Sequence, residues 1–364
     1  MADQDRLAAV RAEIDRLDDE ILRLISRRGA CAQTVAAIKR EAGDSGSFYR
    51  PEREQQILRR MQAANPGPLD DDTVARFYRE LMSACLALQQ PLRIAYLGPA
   101  GTFTQAAALK QFGHGPTLFP LSGIDAVFRA VETGDARYGV VPVENSTEGV
   151  VNHTLDCFLD SPLQITGELE LRIQHQLLAA AALTPTLADV TRVYSHPQGL
   201  AQCRGWLDQH LPGVAQVAVA STAEAAQRAA GEANSAAIAS SAAAEAYALQ
   251  SLASGIEDNR GNTTRFLVIG ESSPPPSGDD KTSLLVSRND QPGGLVRLLQ
   301  PLSDEAISMT RLDARPSRRG NWDYAFFIDL LGHADDPAVQ RALDGMRAQS
   351  SLFRVLGSYP RVTR

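Results

Sequence analysis

The stretch VVPVENSTEGVVNHTLDCF, residues 140–158, decides the fold because an apolar strand ends in it abruptly in polar side chains. Three valines in its first four positions are β-branched, which favours a buried strand. Five hydrogen-bonding residues then follow without a break at positions 144–148. In open α/β sheets, ligands bind outside the carboxyl ends of the strands. The stretch therefore predicts an α/β domain with a polar ligand site.

Strand-like and helical runs alternate on both sides of this stretch, between residues 92 and 270. Apolar runs such as RIAYLG, RVYSH and RFLVIG are separated by Ala-rich or amphipathic helical runs. This alternation predicts a largely parallel sheet with helices on both faces. Because a region of this length exceeds one small sheet, we expect two interleaved lobes.

Residues 1–91 have helical periodicity only. Apolar side chains recur every three or four positions between residues 10 and 38, and Pro51 and the acidic residues 70–72 mark the starts of two further helices. A first helix this long, with an apolar stripe, usually packs against a partner chain. We therefore expect an all-α domain that forms a homodimer, with a tetramer as the alternative.

The stretch SSPPPSGDD, residues 272–280, has the composition of a linker. The region after it has the order strand, helix, two strands, helix, strand, which is that of a ferredoxin-like α+β module. The sequence thus predicts a multidomain chain. Its parts are a helical domain at 1–91, an α/β domain at 92–271, a linker at 272–280 and an α+β domain at 281–364.

The composition restricts the class of protein. The chain has 364 residues, 44% hydrophobic and 22% charged, and a formal net charge of −7, so we expect no nucleic-acid or membrane partner. No apolar run reaches the roughly 20 residues that cross a bilayer, and the N-terminus lacks the pattern of a signal peptide. The four cysteines are scattered without a CxxC pair, and no histidines have metal-ligand spacing. We expect a cytoplasmic protein without metal or cofactor.

Four polar clusters lie at strand ends of the α/β domain, at residues 98–104, 144–147, 195–198 and 262–266. The first and third lead into a helix N-terminus, which favours an anion. One such cluster alone most often serves only to form a turn or cap a helix. Four together are better explained by a shared cleft for a small polar anion. No nucleophile motif accompanies them, so the sequence implies general acid–base chemistry beside a bound carboxylate rather than covalent catalysis.

The motifs GPAGTFT, VENSTEG, SHPQ and NTTRF, in this order, resemble prephenate dehydratase across residues 92–270. The resemblance implies a two-lobed domain like a periplasmic binding protein, with prephenate held between the lobes. Ala220 stands where the family can use an acid. The catalytic positions that the resemblance implies are Glu144, Asn145, Ser195, Gln202 and Thr264, with Thr102 and Arg265 as substrate-binding positions beside them.

The dehydratase reaction removes the ring hydroxyl of prephenate as water and its ring carboxylate as carbon dioxide. Thr264 is expected to strengthen a hydrogen bond to the departing hydroxyl in the transition state. A cation clamped on the departing carboxylate would stabilise the ground state. Arg265 is therefore expected either to bind the side-chain carboxylate or to serve structure. Arogenate, which differs from prephenate only at the side-chain carbonyl, is the alternative substrate.

Basic residues of the helical domain suggest a second site. Arg28 and Lys39 are 11 residues apart, about three helical turns, so they share a face and can close on a small dianion. Arg11 is 17 residues from Arg28, about 25 Å along a straight helix. It cannot reach the same ligand, so any role it has must be in the site of a partner chain.

This spacing resembles an all-helical chorismate mutase over residues 1–91, in which an intertwined dimer builds each site from both chains. The rearrangement is pericyclic and needs no nucleophile, only a compressed conformer and placed charge. The resemblance implies chorismate as substrate, Arg28 and the partner chain's Arg11 on its carboxylates, Lys39 and Gln89 at the breaking ether oxygen, Arg53 nearby, and Glu54 on the ring hydroxyl.

The C-terminal module resembles an ACT domain, an amino-acid-binding regulatory unit. Glycines at a helix N-terminus let backbone N–H groups approach a carboxylate. The resemblance implies L-phenylalanine as effector, and a module that serves only as a dimer contact is the alternative. The effector positions are Gly293, Gly294, Leu295 and Val296 at the first helix, and Asp313, Ala314, Arg315 and Pro316 on the following strand.

Together these resemblances predict a bifunctional enzyme of phenylalanine synthesis. It would rearrange chorismate to prephenate, convert prephenate to phenylpyruvate and be inhibited by phenylalanine. A non-catalytic amino-acid sensor is the alternative from a different class, because binding-protein lobes and an ACT module both suit a sensor.

Overall fold

The structure is a computed structural model that describes residues 2–43, 49–288, 291–316 and 324–362. The chain divides into two compact units. The first comprises residues 1–50, 56–92 and 112–117, and the second comprises residues 51–55, 93–111 and 118–364. Within the described ranges, no helix is both long and apolar enough to span a membrane.

The N-terminal region contains the three predicted helices. They are α1 (Ala2–Glu41), α2 (Pro51–Ala63) and α3 (Asp71–Ala87). Asp70 caps α3 by accepting a hydrogen bond from the backbone N–H of Thr73 at 2.7 Å. The third helix ends at Ala87, and the backbone N–H of its C-cap Leu88 donates to the carbonyl of Ala84.

The apolar stripe of α1 lies on the surface of this single chain. Its aliphatic side chains are between 43% and 64% exposed, although α1 also contacts α3. Apolar patches of this extent usually mark an interface. The exposed members are Leu7, Val10, Ile14, Leu17, Ile21, Leu22, Leu24, Ile25, Val35 and Ile38.

The α/β region follows in the predicted alternation. Its strands are β1 (Arg93–Leu97), β2 (Thr117–Leu121), β3 (Tyr138–Asn145), β4 (Gly149–Val150), β5 (Gln164–Arg172), β6 (Gln176–Ala179), β7 (Arg192–Ser195), β8 (Ala215–Ala218), β9 (Ser235–Ala239), β10 (Gln250–Ser254) and β11 (Thr263–Gly270). Its helices are α4 (Phe103–Phe112), α5 (Ile124–Glu132), α6 (Asn152–Asp160), α7 (Pro197–Gln202), α8 (Arg204–His210), α9 (Thr222–Gly231) and α10 (Ser241–Ala246).

These strands form two sheets, one for each lobe. The first has the order β2-β1-β3-β11-β5 with β4 beside β3, and the second has the order β10-β6-β9-β7-β8. The two lobes are confirmed, but the largely parallel sheet was wrong. Pairing is antiparallel for β3 with β11, β5 with β11, β6 with β9 and β6 with β10. The reason is that β5 and β11 carry the chain out of the first lobe and back into it, and therefore run in opposite directions.

The C-terminal module has the predicted βαββαβ order. Its elements are β12 (Asp280–Ser287), α11 (Gly294–Asp304), β13 (Met309–Pro316), β14 (Tyr324–Leu331), α12 (Pro337–Gln349) and β15 (Leu352–Pro360). They build an antiparallel sheet of order β13-β14-β12-β15. Its β13 is an edge strand.

Strand β15 packs directly on β5 of the first lobe. Gly357 has a φ of +153°, and a Cβ added there would lie 2.1 Å from the carbonyl oxygen of Ile165. Only glycine permits this approach. The apolar core of the first lobe continues into the module through buried residues such as Phe158, Phe327 and Leu356. The α/β region and the C-terminal module therefore share one apolar core.

Candidate functional site

A cavity of about 410 Å³ lies between the two lobes of the α/β region. All four polar clusters contribute to its wall, so their predicted convergence is confirmed, including that of the fourth cluster, which forms the start of β11. Ala220, Ser221 and Thr222 add the start of α9. The wall residues from the four clusters are Phe103, Thr104, Asn145, His196, Gln198, Asn262, Thr264 and Phe266.

Thr264 and Asn145 form the central hydrogen bond of the cavity. The pairing of β11 with β3 places them directly opposite each other. The Asn145 Nδ2 donates to Thr264 Oγ1 at 2.8 Å, while Asn145 Oδ1 accepts from the backbone N–H groups of Thr147 and Glu148 at 2.9 and 3.0 Å. These bonds fix the Asn145 amide. Because Thr264 Oγ1 accepts one of them, its own hydrogen can donate into the cavity.

Gln202, the last residue of α7, also lines the cavity and contacts a histidine that sequence reasoning missed. The Nε2 of His175 lies 2.8 Å from Gln202 Oε1, and His175 is 2% exposed. Burial lowers the pKa of His175, although the bond to Gln202 and the nearby Glu257 act in the other direction. The imidazole is therefore neutral at neutral pH. The signal in the sequence was a lone histidine between two apolar strands.

Three predicted positions lie one residue away from the wall rather than in it. Thr102 Oγ1 donates to the carbonyl of Leu97 at 3.1 Å. Ser195 is fully buried and its Oγ donates to the carbonyl of Ile238 at 2.9 Å. The Glu144 carboxylate lies 3.6 Å from Nε of Arg311 on β13. Thr102 and Ser195 therefore hold backbone segments close to wall residues, whereas Glu144 contacts a side chain of β13.

Arg265 points to the opposite side of β11 from Thr264, into a buried cluster of charges. Its guanidinium contacts the carboxylates of Glu168 at 2.7 Å and Asp329 at 2.8 Å, and Lys281 Nζ contacts Glu168 at 2.7 Å. Although burial lowers the pKa of Arg265, these carboxylates and Tyr359 hold it well above its ordinary value. Of the two roles expected for Arg265, this geometry supports the structural one. The expected contact with substrate has no support, because both carboxylates already occupy the guanidinium.

Three of the predicted mutase residues, Arg11, Arg28 and Lys39, are spread along a continuous α1. Arg28 and Lys39 are half-buried, and Nη1 of Arg28 lies 3.4 Å from the carbonyl of Leu81 on α3. Arg11 is exposed, and the unbroken helix keeps it about 25 Å from Arg28. Gln89 is half-buried just beyond α3. In the first turn of α2 lie Arg53, which is exposed, and Glu54, which is half-buried.

The predicted effector positions lie at the start of α11 and on β13. Gly293 caps α11 in the left-handed region, with φ of +72°, and Gly294 begins the helix, while Leu295 and Val296 are exposed. On β13 the residues alternate. The half-buried Asp313 and Arg315 pair with Arg311 and with Asp156 on α6 respectively, whereas Ala314 and Pro316 are exposed.

The helical region, the two-lobed domain with its polar interlobe cavity and the βαββαβ module define a multidomain protein with a candidate site for a small polar ligand. Models of three families match the chain. These are chorismate mutase type II at residues 10–90, prephenate dehydratase at residues 94–274 and the ACT domain at residues 282–347.

Curated relatives match over nearly the whole chain. A bifunctional chorismate mutase/prephenate dehydratase of Pseudomonas aeruginosa is 53% identical over 99% of both chains, and one of Aquifex aeolicus is 43% identical over 98% of both. A solved prephenate dehydratase of Arthrobacter aurescens, in complex with L-Phe, covers 74% of this chain and 90% of its own, with a TM-score of 0.68 and 34% identity. The chain belongs to the bifunctional chorismate mutase/prephenate dehydratase family. It is an enzyme of aromatic amino acid biosynthesis with a domain for each reaction and an ACT domain.

Proposed function

We propose that prephenate binds in the interlobe cavity and that Thr264 assists the departure of its ring hydroxyl. The observation that carries this proposal is the fixed bond from Asn145 Nδ2 to Thr264 Oγ1. A hydroxyl that accepts a bond from a fixed amide has its own hydrogen directed to the remaining partner, the ligand. In the reaction the ring C–O bond breaks and the hydroxyl leaves as water after taking up one proton from solvent, while the Thr264 hydroxyl donates a hydrogen bond and keeps its own proton. The C–C bond to the carboxylate also breaks, and its electrons complete the aromatic ring.

The composition of the cavity wall suits this loss of carbon dioxide. Among the described residues that line it there is no lysine or arginine, and Glu148 is the one acid. The departing carboxylate is therefore not held by a cation, which would stabilise the ground state. Neutral donors, with the start of α9 at Ser221 and Thr222, supply milder stabilisation of the anion.

For the mutase reaction, we infer a homodimer in which each site draws residues from both chains. The exposed apolar stripe of α1 supplies the surface, and a second copy of the same helix has matching chemistry. Arg28 and Lys39 would bind chorismate with Gln89, Arg53 and Glu54 from their own chain. Because α1 holds Arg11 about 25 Å from Arg28, Arg11 would serve the partner's site.

We infer that L-phenylalanine binds the ACT domain at the start of α11 and at β13 and inhibits the dehydratase. The related Arthrobacter aurescens structure contains L-Phe. In this chain two side chains of β13 reach the dehydratase domain among the described residues. Arg315 binds Asp156 on α6 at 2.8 Å, and Arg311 lies 3.6 Å from Glu144, the neighbour of Asn145. An effector that shifts β13 would therefore act on the end of the strand that carries the cavity amide.

A cytoplasmic location is proposed from the state of the cysteines. Cys85 and Cys203 are buried free thiols, and Cys31 is an exposed one. Thiols in this state are typical of proteins from reducing compartments.

Purified protein with chorismate alone tests the proposal, with prephenate and phenylpyruvate followed over time with and without phenylalanine. We expect phenylpyruvate to form, and to form more slowly with phenylalanine. Lys39→Ala should stop the conversion of chorismate and spare that of added prephenate. Prephenate that accumulates, together with turnover of added arogenate, would reassign the second substrate. Chorismate and prephenate both left untouched would favour the sensor.

A further inference from the structure

We propose that His175 is a positioning residue for the dehydratase reaction. It holds the side-chain amide of Gln202 so that the NH₂ group faces the ligand. This inference rests on the proposed function, because it takes the anionic substrate to lie beside Gln202 in the interlobe cavity.

His175 is held firmly in one of the two crossovers between the lobes. It lies between β5 and β6, where its backbone N–H donates to Glu257 Oε2 at 2.9 Å. Its carbonyl accepts from the N–H groups of Gly255 and Ile256 at 3.0 and 3.2 Å, which belong to the returning crossover. The ring of Phe103 meets the imidazole edge-on, with centroids 5.4 Å apart. The imidazole therefore has a fixed position in the cavity wall.

The surroundings of the imidazole select one tautomer. The buried Nδ1 has no hydrogen-bond partner among the described residues. A hydrogen on Nδ1 would leave an unpaired donor there and would set the lone pair of Nε2 against Gln202 Oε1, at a distance of 2.8 Å. A hydrogen on Nε2 satisfies that contact. The neutral ring thus donates from Nε2 and directs the carbonyl end of the Gln202 amide toward itself.

The orientation of Gln202 sets the polarity of this part of the wall. With Oε1 turned to His175, the two hydrogens of Nε2 face the cavity and can donate to a carboxylate. The reversed amide would present an oxygen to the anion and repel it. The backbone carbonyl of Gln202 also accepts from Asp258 N–H at 2.8 Å, so main chain and side chain are both tied to the crossovers. Asn145 has the same design, with its oxygen held by the protein and its nitrogen used in the site.

A double-mutant cycle between His175→Leu and Gln202→Ala tests the inference by the kcat/KM for prephenate. Each single variant should lose about tenfold or more, the range expected for one hydrogen bond to a charged group. In the Gln202→Ala background, His175→Leu should cost less than about twofold, because its effect passes through Gln202. Equal losses in both backgrounds, or wild-type activity of His175→Leu, would overturn the inference. Full activity of Gln202→Ala would instead remove Gln202 from the proposed site.

A second pair of variants keeps the test valid if His175→Leu does not fold, which loss of chorismate mutase activity and of the unfolding transition would reveal. Glutamine at position 175 places an N–H donor where Nε2 lies, whereas asparagine places it near Nδ1. We expect His175→Gln to retain activity within about threefold and His175→Asn to lose about tenfold. Equal activity of the two would contradict the positioning role.

Discussion

Thr264 and Arg265 are consecutive residues of β11, yet they serve two opposite environments. Thr264 faces the interlobe cavity, where a fixed amide orients a neutral hydroxyl. Arg265 faces the boundary with the ACT domain, where buried charged residues form ion pairs with one another. The difference follows from the period of a strand, because successive side chains point to opposite faces. A single strand thus separates the proposed dehydratase site from the attachment of the ACT domain.

The comparison shows why each side uses its own residue types. Buried charges destabilise the folded state unless they are paired, and removing one partner of a buried pair is strongly destabilising. Such a cluster is suited to holding two domains in one arrangement. In the proposed reaction the cavity must stabilise charge that appears only in the transition state, and fixed neutral donors do this without stabilising the ground state as strongly. Substitutions at Thr264 and Arg265 should therefore have different effects. The first should lower dehydratase activity, and the second should lower stability.

The largest expected effect is on stability, from Arg265→Ala. The change leaves Glu168 and Asp329 buried without their guanidinium partner, so the free energy of unfolding should fall by about 3–5 kcal/mol. Denaturant unfolding measures this. The exposed Arg260 offers a matched control, and Arg260→Ala should stay within about 0.5 kcal/mol of the wild type. A stable Arg265→Ala protein with only a raised KM for prephenate would restore its substrate-binding role.

The next effect is on catalysis, from Asn145→Asp. The new carboxylate keeps an oxygen for the backbone N–H groups of Thr147 and Glu148, but its second oxygen would accept the hydrogen of Thr264. The dehydratase kcat should fall by about 100-fold or more, with mutase activity unchanged. Asn259→Asp is the control, because Asn259 holds the N–H of Gly261 in an exposed turn. If Asn145→Asp keeps normal turnover, the Thr264 hydrogen is not the one used.

Lowering the pH should destabilise the charged cluster around Arg265 before it affects the interlobe cavity. Burial raises the pKa of Asp329, but Arg265 and the Ser283 hydroxyl outweigh it and hold the pKa below the ordinary value of 3.8. A carboxyl whose pKa is lowered on folding contributes stability that is full above its ordinary value and is lost as pH falls through the folded value. Unfolding midpoints should therefore drop steeply below about pH 4. The Asp329→Asn protein, less stable at pH 7, should show a shallower drop, and an identical slope would contradict this role.

The smallest predicted effect concerns regulation, from Asp156→Asn. The change weakens the bond from Arg315 on β13 to α6, the link nearest the expected effector stretch. The concentration of phenylalanine that halves dehydratase activity should rise by about threefold, with uninhibited activity unchanged. Asp344→Asn, which weakens an exposed pair with Arg347 on α12, should leave inhibition as it was. Equal responses of the two variants would show that this link does not transmit the signal.

Much of this arrangement could be predicted from the sequence. Strand and helix periodicity located the three helices, the two lobes and the βαββαβ module, because each depends on local patterns. The strand-end rule brought Asn145, Thr264 and their neighbours to one cleft.

Non-local features could not be predicted in this way. Alternation of strands and helices does not reveal strand direction, so the antiparallel β5 and β11 were missed. The partner of Gln202 is His175, 27 positions away across the crossover, and no local pattern marks that contact. Arg265 was left between two roles because its acidic partners come from β5 and from another domain.

The most direct test of the separation across β11 is to replace Thr264 by valine, which removes the hydroxyl and keeps the shape, and to measure both reactions and unfolding on one preparation. The account predicts a dehydratase kcat lower by about 100- to 1,000-fold. Mutase activity should stay within about twofold and the free energy of unfolding within about 1 kcal/mol of the wild type. Dehydratase activity that survives, or both activities falling together in a folded protein, would contradict the account.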